Sequence, residues 1–151
     1  MNVRINTSAT DQGTDHIAPR VRAGFAALGA ALSGDYGGPM QHLWIDLQLS
    51  PAAADRRPFA TFRLQKRVVT PRELRAFGTE EFFEVGHYQV RPDYDELARV
   101  PLDEIACYLM RRVYDSTAEL AGKRQLRGFD LPRFRQRFAA VLLAQGCTPG
   151  R

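Results

Sequence analysis

The stretch that decides the fold is "HLWIDLQLS", residues 42–50. Its apolar residues occupy every second position: Leu43, Ile45, Leu47 and Leu49. Successive side chains of a strand point to opposite faces, so this alternation predicts a β-strand with one buried face. The other face carries an imidazole, an indole, a carboxylate and an amide, from His42, Trp44, Asp46 and Gln48. That face is where we look for function.

Two further stretches alternate in the same way. "FATFRLQKRVV", residues 59–69, has Ala60, Phe62, Leu64 and Val68 on one side, and polar residues such as Arg63 on the other. It follows the first strand closely in sequence, so we expect the two to form an antiparallel pair. "EFFEVGHYQVRP", residues 81–92, predicts a third strand, with a bulge expected at Gly86.

Helical patterns flank these strands. Residues 17–32 form one apolar stripe, and its helix should be ordered from about Ala18, because Pro19 is tolerated only in a first turn. Thr14 or Asp15 could cap it. Residues 93–100 predict a short helix, 101–123 a long one, and 131–146 a last helix capped by Asp130. The order predicts an α+β fold: a small antiparallel sheet of about three strands, preceded by one helix and followed by two or three helices.

The length and composition predict one cytoplasmic domain. The chain has 151 residues, of which 44% are hydrophobic and 25% charged, as in ordinary globular domains. We expect a flexible N-terminal segment over 1–14, in which "NVRIN", residues 2–6, could add a short edge strand, a single domain over 15–147 and a tail over 148–151. No apolar run is long enough to cross a bilayer, and residues 1–15 contain no secretory signal pattern. Cys107 and Cys147 are far apart, so we expect reduced thiols.

A binding surface is expected on the polar side of the sheet. If the helices cover the side that holds Leu43 and Ile45, polar residues from all three strands gather on the opposite side. Aromatic and arginine side chains are enriched at protein interfaces. The candidate partner-binding residues are His42, Trp44, Asp46, Arg63, Arg67, His87 and Arg91.

Other interpretations of this surface stay open. It could be an ordinary solvated sheet face. "DRRPFATFRLQKRV", residues 55–68, interleaves basic and aromatic residues as a single-strand nucleic-acid binder might, although a net charge of +4 is modest for that role. His42 and His87 could act as the acid and base of a nuclease. No phosphate-loop, dinucleotide, zinc or hydrolase motif occurs, so we expect no cofactor, no metal and no enzymatic activity.

The chain also resembles the single-domain α+β immunity proteins of bacterial toxin systems, such as those of contact-dependent growth inhibition. The resemblance lies in overall size, element order and the stretches "HLWIDLQL", "FRLQKRV" and "FFEVGHYQVRPDYDEL". It implies a protein that neutralises a cognate toxin domain by tight binding. Many immunity proteins that face nucleases are acidic, whereas this chain is basic. This departure counts against simple nucleic-acid mimicry and allows a toxin with an acidic surface, or binding away from the toxin's active site.

Overall fold

The α+β class is confirmed by the arrangement of helices and strands. The structure is a computed structural model that describes residues 1–8, 17–49, 57–68, 72 and 82–147. Two short 3₁₀ segments, Thr117–Gly122 and Arg124–Leu126, precede the last helix. The strands are β1 Asn2–Ser8, β2 Met40–Gln48, β3 Phe59–Val68 and β4 Phe82–Arg91, and the helices are α1 Ala18–Leu32, α2 Tyr94–Leu97, α3 Ile105–Ser116 and α4 Leu131–Ala144.

The sheet is mixed, and the prediction of a three-stranded antiparallel sheet is wrong in this detail. Its order is β1-β2-β4-β3, with β1 and β4 both parallel to β2, and β3 antiparallel to β4. β2 and β3 are therefore not neighbours, because β4 lies between them. The alternation of apolar residues shows which side of a strand is buried, but it contains no information about which strand lies beside it.

The N-terminal residues contribute the fourth strand. Val3 and Ile5 of β1 are 3% and 5% exposed, and β1 over Asn2–Ser8 is the edge strand that "NVRIN" could form, within the segment otherwise expected to be flexible. The side-chain hydroxyl of Ser33, at the end of α1, accepts a hydrogen bond of 2.9 Å from the backbone N–H of Val3. The backbone N–H of Gly34 donates to the carbonyl of Met1 over 2.9 Å. The end of α1 thus holds the outer edge of β1 in place.

The core lies between one face of the sheet and the helices. Phe25 in α1, Leu109 and Val113 in α3, and Phe134 and Phe138 in α4 are 0% exposed, as the helical stripes predict. Burial of one such side chain stabilises the fold by about 1.5–3 kcal/mol. The sheet contributes Leu43, Ile45, Leu47, Tyr88 and Val90 to the same cluster.

The long helix is shorter than its pattern predicts. We expected helix from Pro101, but α3 begins at Ile105, and Leu102 is 48% exposed. After Ser116 the chain continues as the 3₁₀ segment Thr117–Gly122. The short helix α2 forms as expected, with the Asp93 carboxylate accepting the backbone N–H groups of Asp95 and Glu96. A cap on α1 from Thr14 or Asp15 falls outside the described residues.

Gly86 is not the site of the bulge. The register of β2 against β4 shifts between Met40 and His42 instead. A Cβ atom at Gly86 would lie 2.3 Å from Met40 Sδ, 3.0 Å from Phe62 Cε2 and 3.2 Å from Leu43 Cδ1. Glycine is needed here because side chains of both neighbouring strands close over its backbone.

Two turns meet at the entrance to α4. Gly38 has a φ of +82°, and a Cβ there would lie 2.3 Å from the carbonyl oxygen of Gly128. The backbone N–H of Asp130 donates to Tyr36 O over 2.7 Å, and the Asp130 carboxylate accepts the N–H of Arg133 over 3.0 Å. The predicted cap of α4 is thus confirmed, and the segment that follows α1 is joined to it.

The two cysteines form a disulfide, which corrects the expectation of reduced thiols. Cys107 lies in α3 and Cys147 follows α4, with their Cα atoms 5.3 Å apart. This separation is normal for a disulfide. The two cysteines are 40 positions apart in sequence, and the chain between them folds back as the α3–α4 hairpin, which brings the two sulfurs together. Sequence distance says nothing about this proximity.

Candidate functional site

The candidate site is the face of the sheet opposite the core, which we call the open face. In β1, and in β2 from His42 onward, its side chains come from the even-numbered residues. In β3, and in β4 from Val85 onward, they come from the odd-numbered residues. Strand register places one residue of each strand side by side across it: Arg4, Trp44, His87 and Arg63. We call these four the Trp44 row. With strands about 4.8 Å apart, the row is about 14 Å long.

Asp46 and His87 form a polar pair beside Trp44. The His87 Nε2 atom contacts the Asp46 Oδ2 atom across β2 and β4. Their side chains are 22% and 30% exposed, so the pair is partly shielded from water but reachable. The carboxylate fixes the orientation of the imidazole ring. The Asp46 carboxylate contacts the Nε2 atom of His87, so the Nδ1 side of the ring is left for a ligand.

The charged side chains described on the open face are mostly cationic. Arg4, Arg63 and Arg91 carry guanidinium groups, and Asp46 is the one carboxylate among these described side chains. With its amide oxygen turned toward Arg63, Gln65 accepts from both Nε and Nη2 at 3.0 Å. This contact holds the guanidinium of Arg63 on the exposed strand β3. An anionic group is therefore the ligand that this face favours.

The predicted residue His42 is placed differently from the others. It is only 7% exposed, and its register partner Val85 is 1% exposed, so this end of the open face is not a free surface. The rings of His42 and Trp44 lie 6.4 Å apart between centroids, at 52°. His42 can therefore support the position of Trp44. Its burial argues against a nuclease in which His42 and His87 both reach a phosphodiester.

Arg91 lies at the far end of the open face. Its guanidinium carbon is 4.3 Å from the centroid of the Phe59 ring, and Nη1 donates to Arg57 O over 3.4 Å. Arg67 pairs with Phe83 in the β3–β4 register, but its side chain lies outside what the structure describes. The structure therefore brings Trp44, Asp46, His87 and Arg63 together, and separates His42 and Arg91 from them by burial and by position.

Sequence reasoning missed one member of the Trp44 row. Arg4 is exposed in β1 and pairs in register with Trp44. The available signal was the alternation of Val3 and Ile5, which is short and precedes a polar stretch. A two-residue apolar pattern does not establish that a segment joins the sheet, and the parallel pairing with β2 could not be inferred from it.

Two classes of site find no support among the described residues. No three His, Cys, Asp or Glu side chains of the described chain come together as a metal ion requires. None of the described helices has the length and hydropathy needed to cross a membrane.

Comparison with known proteins adds no relative. No protein-family model matches the chain, and neither a curated protein nor a solved structure does. The case for function rests on the geometry of the open face.

Proposed function

We propose that the protein is an immunity protein that binds and neutralises a cognate bacterial toxin domain through the open face. The observation that supports this most is the Trp44 row, in which the indole lies between Arg4 and His87, with Arg63 beyond His87. Trp and Arg dominate the binding energy of protein interfaces. A row built from four strands is also a rigid scaffold, so little conformational entropy is lost on binding.

The charge of the face indicates the kind of toxin surface. Arg4 and Arg63 stand at the two edges of the row, and Asp46 with His87 lies beside its centre. An acidic surface would be attracted to the arginines, which speeds association, while burial of Trp44 slows dissociation. Four strands of about six residues cover about 19 Å by 20 Å. This is about half the 800 Å² that a standard interface buries per partner, so segments around the sheet would also contribute.

Binding of single-stranded nucleic acid is the second candidate. It is favoured by the same placement of Trp44 next to Arg4 and His87, because a base can stack on the indole while its phosphates meet the cations. The Asp46 carboxylate beside the indole repels a phosphate, which is why a protein partner ranks first.

The test is capture of a partner from the native host with the full chain as bait, followed by calorimetry with the purified partner. Trp44→Ala should weaken the complex by about 2 kcal/mol or more, the size of an interface hot spot. Arg20→Ala, an exposed arginine of α1, is the matched control and should leave affinity unchanged. Circular dichroism should show that both variants stay folded.

Salt dependence separates the two candidates. The affinity of a nucleic-acid complex that involves several phosphates falls steeply as the salt concentration rises. Such a complex also forms without any specific protein partner. Recovery of no specific protein, or equal affinity of wild type and Trp44→Ala for the recovered partner, would refute the immunity proposal.

A further inference from the structure

A cavity lies at the end of the sheet, apart from the Trp44 row. It has a volume of about 600 Å³ and opens between the start of β3, the carboxyl end of β4 and the end of α3. Ligand-binding pockets of proteins typically enclose about 300–1,000 Å³. The cavity is therefore large enough for a small organic molecule or for one long side chain of a partner.

The charge of the cavity is opposite to that of the chain. Its lining carries four carboxylates and two guanidinium groups, a formal sum of −2, whereas the whole chain carries +4. The charged residues are Asp93, Glu96, Asp115, Glu119, Arg91 and Arg112. A cationic ligand would be attracted to this site.

Two of the four carboxylates are already engaged. Glu96 Oε1 accepts a bond of 3.0 Å from Arg112 Nη2, and Asp93 caps α2. Asp115 and Glu119 make no hydrogen bond or ion pair with any residue that the structure describes. They are four residues apart on α3 and the 3₁₀ segment after it, and both line the cavity. Arg112 in the same lining attracts Asp115 from a distance, but no hydrogen bond from a described residue occupies the oxygens of either carboxylate.

A buried hydroxyl group lies behind the same wall. Tyr88 is 1% exposed, and its hydroxyl has no hydrogen-bond partner among the described residues. Burial raises its pKa, and the nearby Glu119 carboxylate raises it further. Ser116, beside it, uses its own hydroxyl to donate to Val113 O over 2.7 Å. An unsatisfied buried hydroxyl is unfavourable, and this one lies behind Ser116 and Glu119, which line the cavity.

The remaining wall is apolar. Pro58 and Ala60 line the β3 side, and the ring of Phe59, which also borders the cavity, lies under the guanidinium of Arg91. The cavity thus combines an apolar surface with two unpaired carboxylates, which matches a molecule with a hydrocarbon stem and a cationic head.

We propose that this cavity binds an organic cation, an amine or guanidinium group on an apolar stem, with its charge held by Asp115 and Glu119 and its stem packed against Pro58 and Ala60. A guanidinium can form paired hydrogen bonds with carboxylates, which gives the site directional recognition. The cation is either a free small molecule or an arginine or lysine side chain of a protein partner. Both share the chemistry that the cavity recognises.

The probe is agmatine, a guanidinium and an amine joined by a four-carbon stem, with 1,4-butanediol as the uncharged counterpart. Calorimetry on the full chain should show saturable binding of agmatine and none of butanediol. The double variant Asp115→Asn/Glu119→Gln should weaken agmatine binding about tenfold or more. The matched control is Asp103→Asn/Glu104→Gln, which changes the net charge equally at two exposed residues outside the cavity lining and should leave affinity unchanged.

Further variants test the hydroxyl and the independence of the site. Tyr88→Phe removes a buried hydroxyl that has no hydrogen-bond partner among the described residues, so the melting temperature should stay the same or rise. Trp44→Ala should not change agmatine binding, so a failure of this proposal and a failure of toxin binding can be told apart.

To identify the source of the cation, the affinity of a peptide with one central arginine is compared with that of agmatine. Stronger binding of the peptide than of agmatine assigns the site to a partner's side chain, and the reverse assigns it to a free cation. The proposal is overturned if none of the probes binds saturably up to about 10 mM. It is also overturned if both double variants weaken binding equally, because the effect would then be one of net charge alone.

Discussion

Removal of the Cys107–Cys147 disulfide should cost a large part of the stability of the fold. The bond closes a loop of forty residues in sequence. In the chain-entropy description, a 15-residue loop contributes about 3 kcal/mol and a 100-residue loop about 4.7 kcal/mol. The forty-residue loop lies between them, at about 4 kcal/mol. Since domains of this size are stable by about 5–15 kcal/mol, loss of the bond should be plainly visible.

The assay is urea denaturation followed by circular dichroism, with and without a reductant. Reduction of the wild type should lower the free energy of unfolding by about 4 kcal/mol. Reduction should also steepen the slope of the free energy of unfolding against urea concentration, because an unfolded chain without the cross-link exposes more surface. Cys107→Ala/Cys147→Ala is the control: it should be destabilised, and the reductant should not change it further.

Two results would refute this reasoning. The first is an intact mass showing two free thiols in protein purified without reductant. The second is a loss of less than about 1 kcal/mol on reduction, which would mean that the bond does not restrict the unfolded chain as the entropy argument requires.

Three further predictions concern packing and ionisation. Gly86→Ala should lower the free energy of unfolding by about 1–3 kcal/mol, because the added Cβ would collide with side chains of β2 and β3. Gly122→Ala, which has open space around it, should cost much less. Equal urea midpoints for the two variants would contradict this prediction. Gly38→Ala should be more destabilising than Gly146→Ala, since both have a φ near +80° but only Gly38 abuts another backbone; equal melting temperatures would show that this contact yields freely. Burial raises the pKa of Tyr108 to about 12, so the stability that its neutral hydroxyl contributes is complete below pH 10 and is lost as the pH rises from 10 toward 12. Tyr108→Phe should therefore show a shallower fall in the free energy of unfolding between pH 10 and 12. The same slope in the variant and the wild type would refute this prediction.

Much of the fold could be predicted because its signals are local. The apolar stripes of α1 and α4 and the alternation in β2 each lie within a single element, and the residues that they mark are buried in the structure. The Asp130 cap of α4 was predictable for the same reason, since a cap and the N–H that it accepts are three residues apart.

The candidate site was predictable only in part. Period-two alternation places Trp44 and Asp46 on one face of β2, and Arg63 and His87 on one face of their own strands. It does not show that these strands share an orientation or a register. It also does not show that His42, with the same parity as Trp44, is buried while Trp44 is partly accessible.

The sequence by itself determined which side chains of α1 and β2 face the core, because that depends on the backbone period of a single element. Only the tertiary structure decided that β1 lies beside β2, that β4 separates β2 from β3, and that Arg4 extends the row of Trp44. It also decided the contact of Asp46 with His87, 41 residues apart, and the bond of Cys107 to Cys147, 40 residues apart. These contacts join distant segments, and their formation depends on how the whole chain buries its apolar surface.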